Sequence, residues 1–335
     1  MNNIDWALLK PIIEQNQTFI ITSHVRPDLD ALGSELALAI LLESLGKQVS
    51  VINGSDMPDG LRFIDEEDRV QKYVPSKHRD LILGSDVHFI VDTSAWKQLG
   101  TIADLFKTTT AKKVVIDHHA SSDDLQALEF KDPLAEATGT LIYRMMKVCG
   151  YPVQPEMATP LYGAIATDTG WFRFSSTTSE THRIIADLID LGVKADHLYQ
   201  QLYERYSIER TKLVSRILGR VELECDGQLV YVYVQWKDFT ETGAKPVDTE
   251  DLVNECLRIN GTRAAFIAVE QQNKTVKFSL RSRSDVDVSQ VAEIFGGGGH
   301  KKAAGAVLTE PFPQALTKVR DAMKEAVMTL ADHPA

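Results

Sequence analysis

Two bare apolar triplets, Phe89-Ile90-Val91 and Val114-Val115-Ile116, stop abruptly at an acid: Asp92 follows the first and Asp117-His118-His119 the second. A third apolar run, starting at Phe19, leads into Ser23-His24-Val25-Arg26-Pro27-Asp28-Leu29-Asp30. Runs this short and this uniformly apolar fit strands buried on both faces, which belong to parallel sheets covered by helices. The intervening segments agree. Strands are predicted over 19–25, 48–53, 87–93 and 113–118, and helices over 30–44, 99–106 and 136–148, the last stopped by Gly150 and Pro152. The reading is an α/β fold with an N-terminal doubly wound parallel sheet. Ligands of such sheets sit beyond the carboxyl ends of the strands, so the groups that end these three strands should converge.

The second half changes character. Residues 179 to about 219 read as nearly all helical, a connection between domains. Residues 229–235 alternate valine and tyrosine, and 264–270 with 275–281 read as a hairpin around Gln272-Asn273-Lys274. Helices are expected over 248–257, 289–295 and 314–330, with the run Gly296-Gly297-Gly298-Gly299-His300 between the last two. The expected division is an N-terminal domain over 1–185 that carries the acid-tipped strands, a helical linker over 186–219 and a smaller C-terminal α/β domain over 220–335. A chain of 335 residues is long enough for both.

The formal net charge of −11 argues against long duplex DNA as a partner, since duplex binders present broad basic faces. It leaves room for a small anionic ligand held by local charge. The three cysteines, Cys149, Cys225 and Cys256, are far apart and form neither a disulfide framework nor a zinc ribbon. The start, Met-Asn-Asn-Ile-Asp-Trp, is not a signal peptide, and no apolar run approaches the roughly 20 residues of a membrane span. A cytoplasmic protein without a membrane partner is expected.

Each acid also has a bland reading. A lone aspartate at a strand end usually caps the next helix, so Asp30 could cap a helix starting at Ala31 and Asp117 could make a turn. A histidine pair is more often filler than ligand. Four segments ending alike shift that balance, because a fourth segment, Tyr162-Gly163-Ala164-Ile165-Ala166-Thr167, delivers a further acid, Asp168. Crowded carboxylates are unfavourable without a cation. Imidazole and carboxylate together suit Mn²⁺, Zn²⁺ or Fe²⁺. The donors suffice for two ions, and a pair of divalent ions roughly 3.5–4 Å apart hydrolyses phosphate esters by polarising the phosphoryl oxygen and acidifying a water.

His24-x-x-x-Asp28-x-Asp30, the isolated Asp92, Asp117-His118-His119 and Asp168, in this order, resemble the motifs of the DHH phosphoesterases. Gly296-Gly297-Gly298-Gly299-His300 resembles the glycine-histidine motif of their associated C-terminal domain, so the resemblance runs through the chain. It implies that His24, Asp28 and Asp92 hold one divalent ion and that Asp30, Asp92, His118 and Asp168 hold a second, most often Mn²⁺. It implies that His119 meets the phosphate and donates a proton, while Asp117 orients a histidine. The charge of Arg26 would meet a phosphate. Two features depart from the family pattern. Leu29 stands between the two acids where many relatives carry a small residue. Trp171 stands where an arginine is frequent, and it would stack on a base or simply pack.

The glycine run could be a flexible linker, but glycines at Gly297, Gly298 and Gly299 also let backbone N–H groups approach phosphate. With His300, and with Arg281 and Arg283 at alternate positions of the preceding strand, they form a basic patch for substrate; a solvated strand edge is the alternative. Accessory domains of longer or membrane-tethered members are missing. The resemblance is then to the two-domain type, and it implies hydrolysis of oligoribonucleotides of about two to five nucleotides to mononucleotides and dephosphorylation of adenosine 3′,5′-bisphosphate to AMP. Its partners are thus short single strands and a nucleotide bisphosphate, and the resemblance allows a homodimer. A phosphodiesterase for linear or cyclic diadenylate shares the same ligands, and a non-catalytic nucleotide sensor ranks lower because all the ligands are present.

Overall fold

The computed structural model describes residues 4–329. The chain divides into two compact units, Met1–Arg205 and Tyr206–Ala335.

The first unit is built on strands β1 (Thr18–Thr22), β2 (Gln48–Asn53), β3 (Val70–Lys72), β4 (Val87–Val91), β5 (Lys112–Asp117) and β6 (Leu128–Lys131). They form one sheet in the order β3-β2-β1-β4-β5-β6, with every pair parallel. Its helices are α1 (Lys10–Gln15), α2 (Leu29–Ser44), α3 (Pro75–Gly84), α4 (Ala103–Thr108), α5 (Thr138–Cys149), α6 (Pro155–Asp168), α7 (Ser179–Asp190) and α8 (Ala195–Tyr203). Both faces of the sheet are covered, as the uniformly apolar strands require. Val87, Phe89 and Val91 of β4 join an apolar cluster with residues of α2, α5 and α6. Ile90 joins the opposite cluster with Ile82, Leu99 and Phe106. The strand order reverses between β1 and β4, and there the ligand crevice of a doubly wound sheet opens.

Two edge strands and two helices were not foreseen. β3 (Val-Gln-Lys) and β6 (Leu-Glu-Phe-Lys) are short and half polar, and α1 and α3 carry largely polar or short sequences. The helix expected over 99–106 is split: a 3₁₀ turn (Trp96–Ile102) is interrupted at Gly100, whose φ is 58°, before α4 begins.

Helices α2, α5 and α6 lie unusually close. A Cβ on Gly33 would stand 2.2 Å from the Pro160 carbonyl oxygen, and one on Gly139 would stand 2.6 Å from the Ala164 Cβ. Glycine at these positions lets the three helices approach. This brings the start of α2, the start of α5 and the end of α6 to one end of the sheet.

The second unit carries β7 (Glu222–Glu224), β8 (Leu229–Val234), β9 (Ala264–Glu270), β10 (Val276–Ser282), β11 (Gly298–His300) and β12 (Ala303–Leu308), in the order β11-β12-β10-β9-β8-β7. One face, with Phe266, Phe278 and Leu280, packs on α12 (Val288–Ile294) and α13 (Phe312–Thr329). The other, with Val232, Ile267 and Val269, packs on α9 (Ile208–Leu218), α10 (Trp236–Thr242) and α11 (Leu252–Leu257). The hairpin of β9 and β10 is antiparallel as expected. The helical run from 179 is shared out, α7 and α8 in the first unit and α9 in the second. The last helix is described to Thr329, and residue 330 of the expected helix lies outside the described residues. Among the described residues no helix is long and apolar enough to cross a membrane.

Candidate metal centre

Asp28 is the N-cap of α2, with its Oδ1 accepting from the N–H of Asp30 (3.0 Å) and Ala31 (3.1 Å). The helix therefore begins at Leu29, two residues earlier than a cap at Asp30 would put it, and Asp30 is released for another use. Helix α5 starts behind Ala137, which offers no side-chain cap. Its first amides are met instead by Asp30, whose Oδ2 accepts from Thr138 N (2.7 Å) and Oδ1 from Gly139 N (2.8 Å). A carboxylate at a helix N-terminus is stabilised by those unpaired amides and by the helix dipole.

Asp92 is almost fully buried and has a left-handed backbone, φ 59°. Its N–H reaches the Ile116 carbonyl at 3.0 Å, and its Oδ1 accepts from Thr138 Oγ1 at 2.8 Å. A non-glycine residue held at positive φ is a strained arrangement of the kind that clusters at functional sites.

The histidines are aimed by their other ring nitrogen. His24 Nδ1 lies 3.1 Å from the Val25 carbonyl, and His118 Nδ1 lies 3.2 Å from that of Ala135. A carbonyl only accepts, so each Nδ1 carries a proton, and Nε2 is the ring nitrogen that faces the acids. His24 Nε2 is 3.3 Å from Asp92 Oδ2 and 3.9 Å from Asp28 Oδ1. His118 Nε2 is 3.3 Å from Asp168 Oδ2, 3.5 Å from Asp92 Oδ1 and 3.7 Å from Asp30 Oδ2. Donor atoms of His24, Asp28 and Asp92 lie within 4.8 Å of one another, as do those of Asp30, His118 and Asp168, and those of Asp92, His118 and His119.

His119 differs from its neighbour. Its Nδ1 is 2.8 Å from Asp117 Oδ1, and its side chain is half exposed. The other oxygen of Asp117 accepts from Ser94 Oγ and pairs with Lys131 Nζ at 3.2 Å. Burial alone would raise the Asp117 carboxyl, but the bonds from His119 and Ser94 outweigh it and pull it down to about 2. Its partner imidazole is raised, first by that hydrogen bond.

The cluster as a whole favours added positive charge. Burial, then the charges of Asp92, Asp168 and Asp28, push Asp30 well above the carboxylate range. Burial first of all lifts Asp168 to about 6. For His24, burial works downward, but hydrogen bonds to Asp28 and Asp92 prevail and raise it to about 11. Two imidazole nitrogens and four carboxylates whose donors converge are the chemistry of a divalent cation of intermediate hardness, and the residues fit one.

Several supporting residues escaped the sequence reading. Thr138, Gly139, Ser94 and Lys131 position the acids as described. Behind them Glu35 is fully buried, burial raises its carboxyl to about 7, and its Oε2 accepts from Asn53 Nδ2 at 3.0 Å. Asn53 Oδ1 in turn accepts from Ser23 N at 3.0 Å and fixes the end of β1 just before His24. One signal was available for Thr138 and Gly139: a helix start with no cap of its own needs one from elsewhere.

Arg26 is exposed at φ 55°, with its N–H on Ser55 Oγ at 2.7 Å. Trp171 is half-buried at φ 58° and packs edge-on against Tyr162, Tyr199 and Tyr203, at ring distances of 6.0, 5.1 and 5.6 Å. Of its two readings, packing is the one these contacts describe. Arg173 donates from Nε to the Gly170 carbonyl at 2.7 Å.

In the second unit the glycine run includes an edge strand, β11. A Cβ on Gly297 would stand 2.2 Å from the Gly305 carbonyl oxygen, and one on Gly299 would stand 2.5 Å from that of Ala303, whereas one on Gly298 would meet nothing within 4 Å. Two of these glycines are thus demanded by close strand packing, whereas Gly298 faces open space. His300 and Arg281 both flank Ala303 across the sheet, so they share a row and a face. Arg283 lies past the end of β10, and its guanidinium donates to the carbonyls of Thr262 (2.7 Å) and Leu257 (2.6 Å). Arg283 therefore ties down the neighbouring loop, and the expected alternate pair with Arg281 is not formed.

Comparison with known proteins gives the frame. Residues 18–165 match the model of the DHH family N-terminal domain, and residues 226–329 match that of the DHHA1 domain. The chain is 31% identical over 310 residues to the bifunctional oligoribonuclease and PAP phosphatase NrnA of Thermus thermophilus, covering 91% of this chain and 89% of that one. It is 26% identical to the cyclic-di-AMP phosphodiesterase PdeA of Listeria monocytogenes, covering 92% of this chain and 47% of that one. Its structure resembles that of an exopolyphosphatase-related protein from Bacteroides fragilis with a TM-score of 0.91 at 27% identity, over 97% of both chains. With both domain models matched in order and the relationship extending over nearly the whole chain, this protein belongs to the DHH family of phosphoesterases.

Proposed function

We propose that the chain hydrolyses short single-stranded oligoribonucleotides to mononucleotides and removes the 3′-phosphate of adenosine 3′,5′-bisphosphate, using two divalent cations, with Mn²⁺ the best match to its donors. The observation that carries this reading is the convergence of His24, Asp28 and Asp92 with Asp30, His118 and Asp168 at one strand-end crevice. The first three would hold one ion and the second three the other, with Asp92 facing both. Such a pair supplies charge neutralisation of the phosphoryl oxygens and an acidified water. Thr138, Gly139 and the backbone of α5 keep the acids in place and lower the reorganisation needed. His119, oriented by Asp117 and kept protonated above its ordinary range, would donate to the phosphate or its leaving oxygen. Arg26 would meet a non-reacting phosphate, and Arg281, His300 and Gly298 would grip the rest of the substrate.

Product analysis with Mn²⁺, and EDTA as control, tests the reading on a ribodinucleotide, a long RNA, adenosine 3′,5′-bisphosphate and cyclic diadenylate. Fast release of mononucleotide from the dinucleotide with the long RNA spared supports it. Preference for cyclic diadenylate replaces it with the second phosphodiesterase class, and no metal-dependent turnover on any substrate leaves a sensor. Asp117→Asn should lower kcat by about 10–100-fold while leaving metal content intact, as steady-state kinetics and elemental analysis would report.

The two kinds of glycine in the C-terminal run separate in a mutant pair. Gly298→Ala should melt within a degree or two of the parent, since its Cβ enters open space, and should raise KM for nucleotides. Gly297→Ala should lose about 1–3 kcal/mol of stability, because its Cβ meets the backbone of β12. Thermal melts and KM values check both.

A further inference from the structure

Glu35 stands where the packing of α2 suits an apolar residue. Leu32, Leu36, Leu38 and Ala39 of the same helix belong to the main apolar cluster of the first unit, and Glu35 among them is fully buried. Leucine would continue that surface without desolvating a polar group. A buried carboxyl is unfavourable unless its hydrogen bonds offset the burial.

Those bonds lead to a single place. Glu35 Oε2 accepts from Asn53 Nδ2 at 3.0 Å. Asn53, the last residue of β2, is itself fully buried, and its own carbonyl accepts from Tyr73 N at 2.8 Å. Its Oδ1 accepts from Thr22 Oγ1 at 3.2 Å and from Ser23 N at 3.0 Å. The pairing of β1 with β2 is last registered at Ile21 and Val51, so Ser23 lies beyond it and the Asn53 side chain extends the hold on β1 to the residue before His24. A side-chain amide can be turned either way. The carboxylate only accepts and the Ser23 N–H only donates, so together they fix which end of Asn53 faces which. Without Glu35 the amide nitrogen would be buried with no acceptor, and nothing would keep Oδ1 turned toward Ser23.

The network has a slack end. Glu35 Oε1 and Ser23 Oγ are buried and outside hydrogen-bond geometry with any described partner, although the Ser23 hydroxyl is near enough to favour the carboxylate. The charge of Glu35 also interacts with those of His24 and Asp92, so a positioning effect has to be separated from a charge effect. The acids and histidine of the other cation site are held by different groups. Thr138 N and Gly139 N hold Asp30, and the Ala135 carbonyl aims His118.

We propose that Glu35, acting through Asn53, is a positioning residue for the cation site formed by His24, Asp28 and Asp92, and that it sets the affinity of that site without touching it. The inference rests on the metal-centre reading and makes the two cation sites separable by mutation.

The test titrates Mn²⁺ into the metal-free chain by calorimetry. Glu35→Leu should weaken one of the two sites about 10–100-fold and leave the other unchanged. Asn53→Ala should weaken the same site, and the double variant should be no worse than the weaker single one, because links of one chain are not additive. Glu35→Gln should bind Mn²⁺ as the parent does, since its oxygen can accept from Asn53 and its nitrogen can donate to Ser23 Oγ. Leu41→Ala, fully buried on the same helix, is the control for plain destabilisation: it should melt lower with both sites intact. Parental affinity in Glu35→Leu overturns the proposal, and so does equal weakening in Glu35→Gln, which would make charge the cause. Weakening in Leu41→Ala overturns it as well. The ring-nitrogen NMR shifts of His24 in the metal-free chain give an independent reading. They should move in Glu35→Leu and Asn53→Ala and return in Glu35→Gln. If the parent takes up no Mn²⁺, the metal-centre reading fails, and the ring shifts still decide whether Glu35 positions His24.

Discussion

Asp92→Asn should abolish turnover while leaving the fold intact. Asparagine tolerates the left-handed backbone that residue 92 adopts (φ 59°). Its side-chain oxygen can still accept from Thr138 Oγ1. What disappears is one negative charge from a position faced by both His24 and His118, at 3.3 and 3.5 Å. If Asp92 serves both cations, the loss of several kcal/mol of transition-state stabilisation corresponds to about 10³–10⁴ in kcat/KM. Metal content, read by elemental analysis, should fall as well. Thermal stability in EDTA should change little, because removing the charge of Asp92 relieves its repulsion of Asp30 and at the same time forfeits its attraction for His24. Near-parental turnover in saturating Mn²⁺ would falsify the shared role. A variant inactive only because it is unfolded would show itself in the melt.

Gly33→Ala should damage both stability and activity although residue 33 holds no ligand. The added Cβ would stand 2.2 Å from the Pro160 carbonyl oxygen and 3.0 Å from the Ala164 Cβ, and a backbone oxygen cannot swing aside. Helices α2 and α6 must separate. Overpacking of this kind costs about 1–3 kcal/mol, which for a unit of this size lowers Tm by about 2–4 °C per kcal/mol. The same separation moves Asp30, three residues before Gly33 on α2, against Asp168 at the end of α6. Displacements near 1 Å at a reacting centre cost on the order of 100-fold in rate, so activity should fall well beyond the loss of folded protein at 25 °C. Gly84→Ala is the control. It sits at the end of α3 with no atom within 4 Å of its Cβ, and alanine there should leave activity alone and raise Tm slightly. A Gly33→Ala protein that matches the parent in both Tm and kcat would refute the close-packing argument.

The parallel sheet and the positions of its acid-tipped ends are written in local pattern. An all-apolar strand such as Val87–Val91 needs cover on both faces, and a residue that ends such a strand must lie on the carboxyl edge, so Asp92, Asp117 and His118 could be placed from their neighbours alone. The glycine-histidine run stands out in the same way, but that two of its glycines serve close strand packing shows only in the fold. Local pattern does not carry contacts between distant parts of the chain. Asp28 rather than Asp30 caps α2, because Asp30 is needed as the cap of α5, which has none of its own. Gly33 and Gly139 matter through a carbonyl and a methyl on α6, and nothing beside them in the chain announces it. Arg283 looked like the partner of Arg281 by alternation, but β10 ends at Ser282 and two loop carbonyls claim its guanidinium. Periodicity tells which way a side chain points, whereas the neighbours that await it are set by how the elements pack.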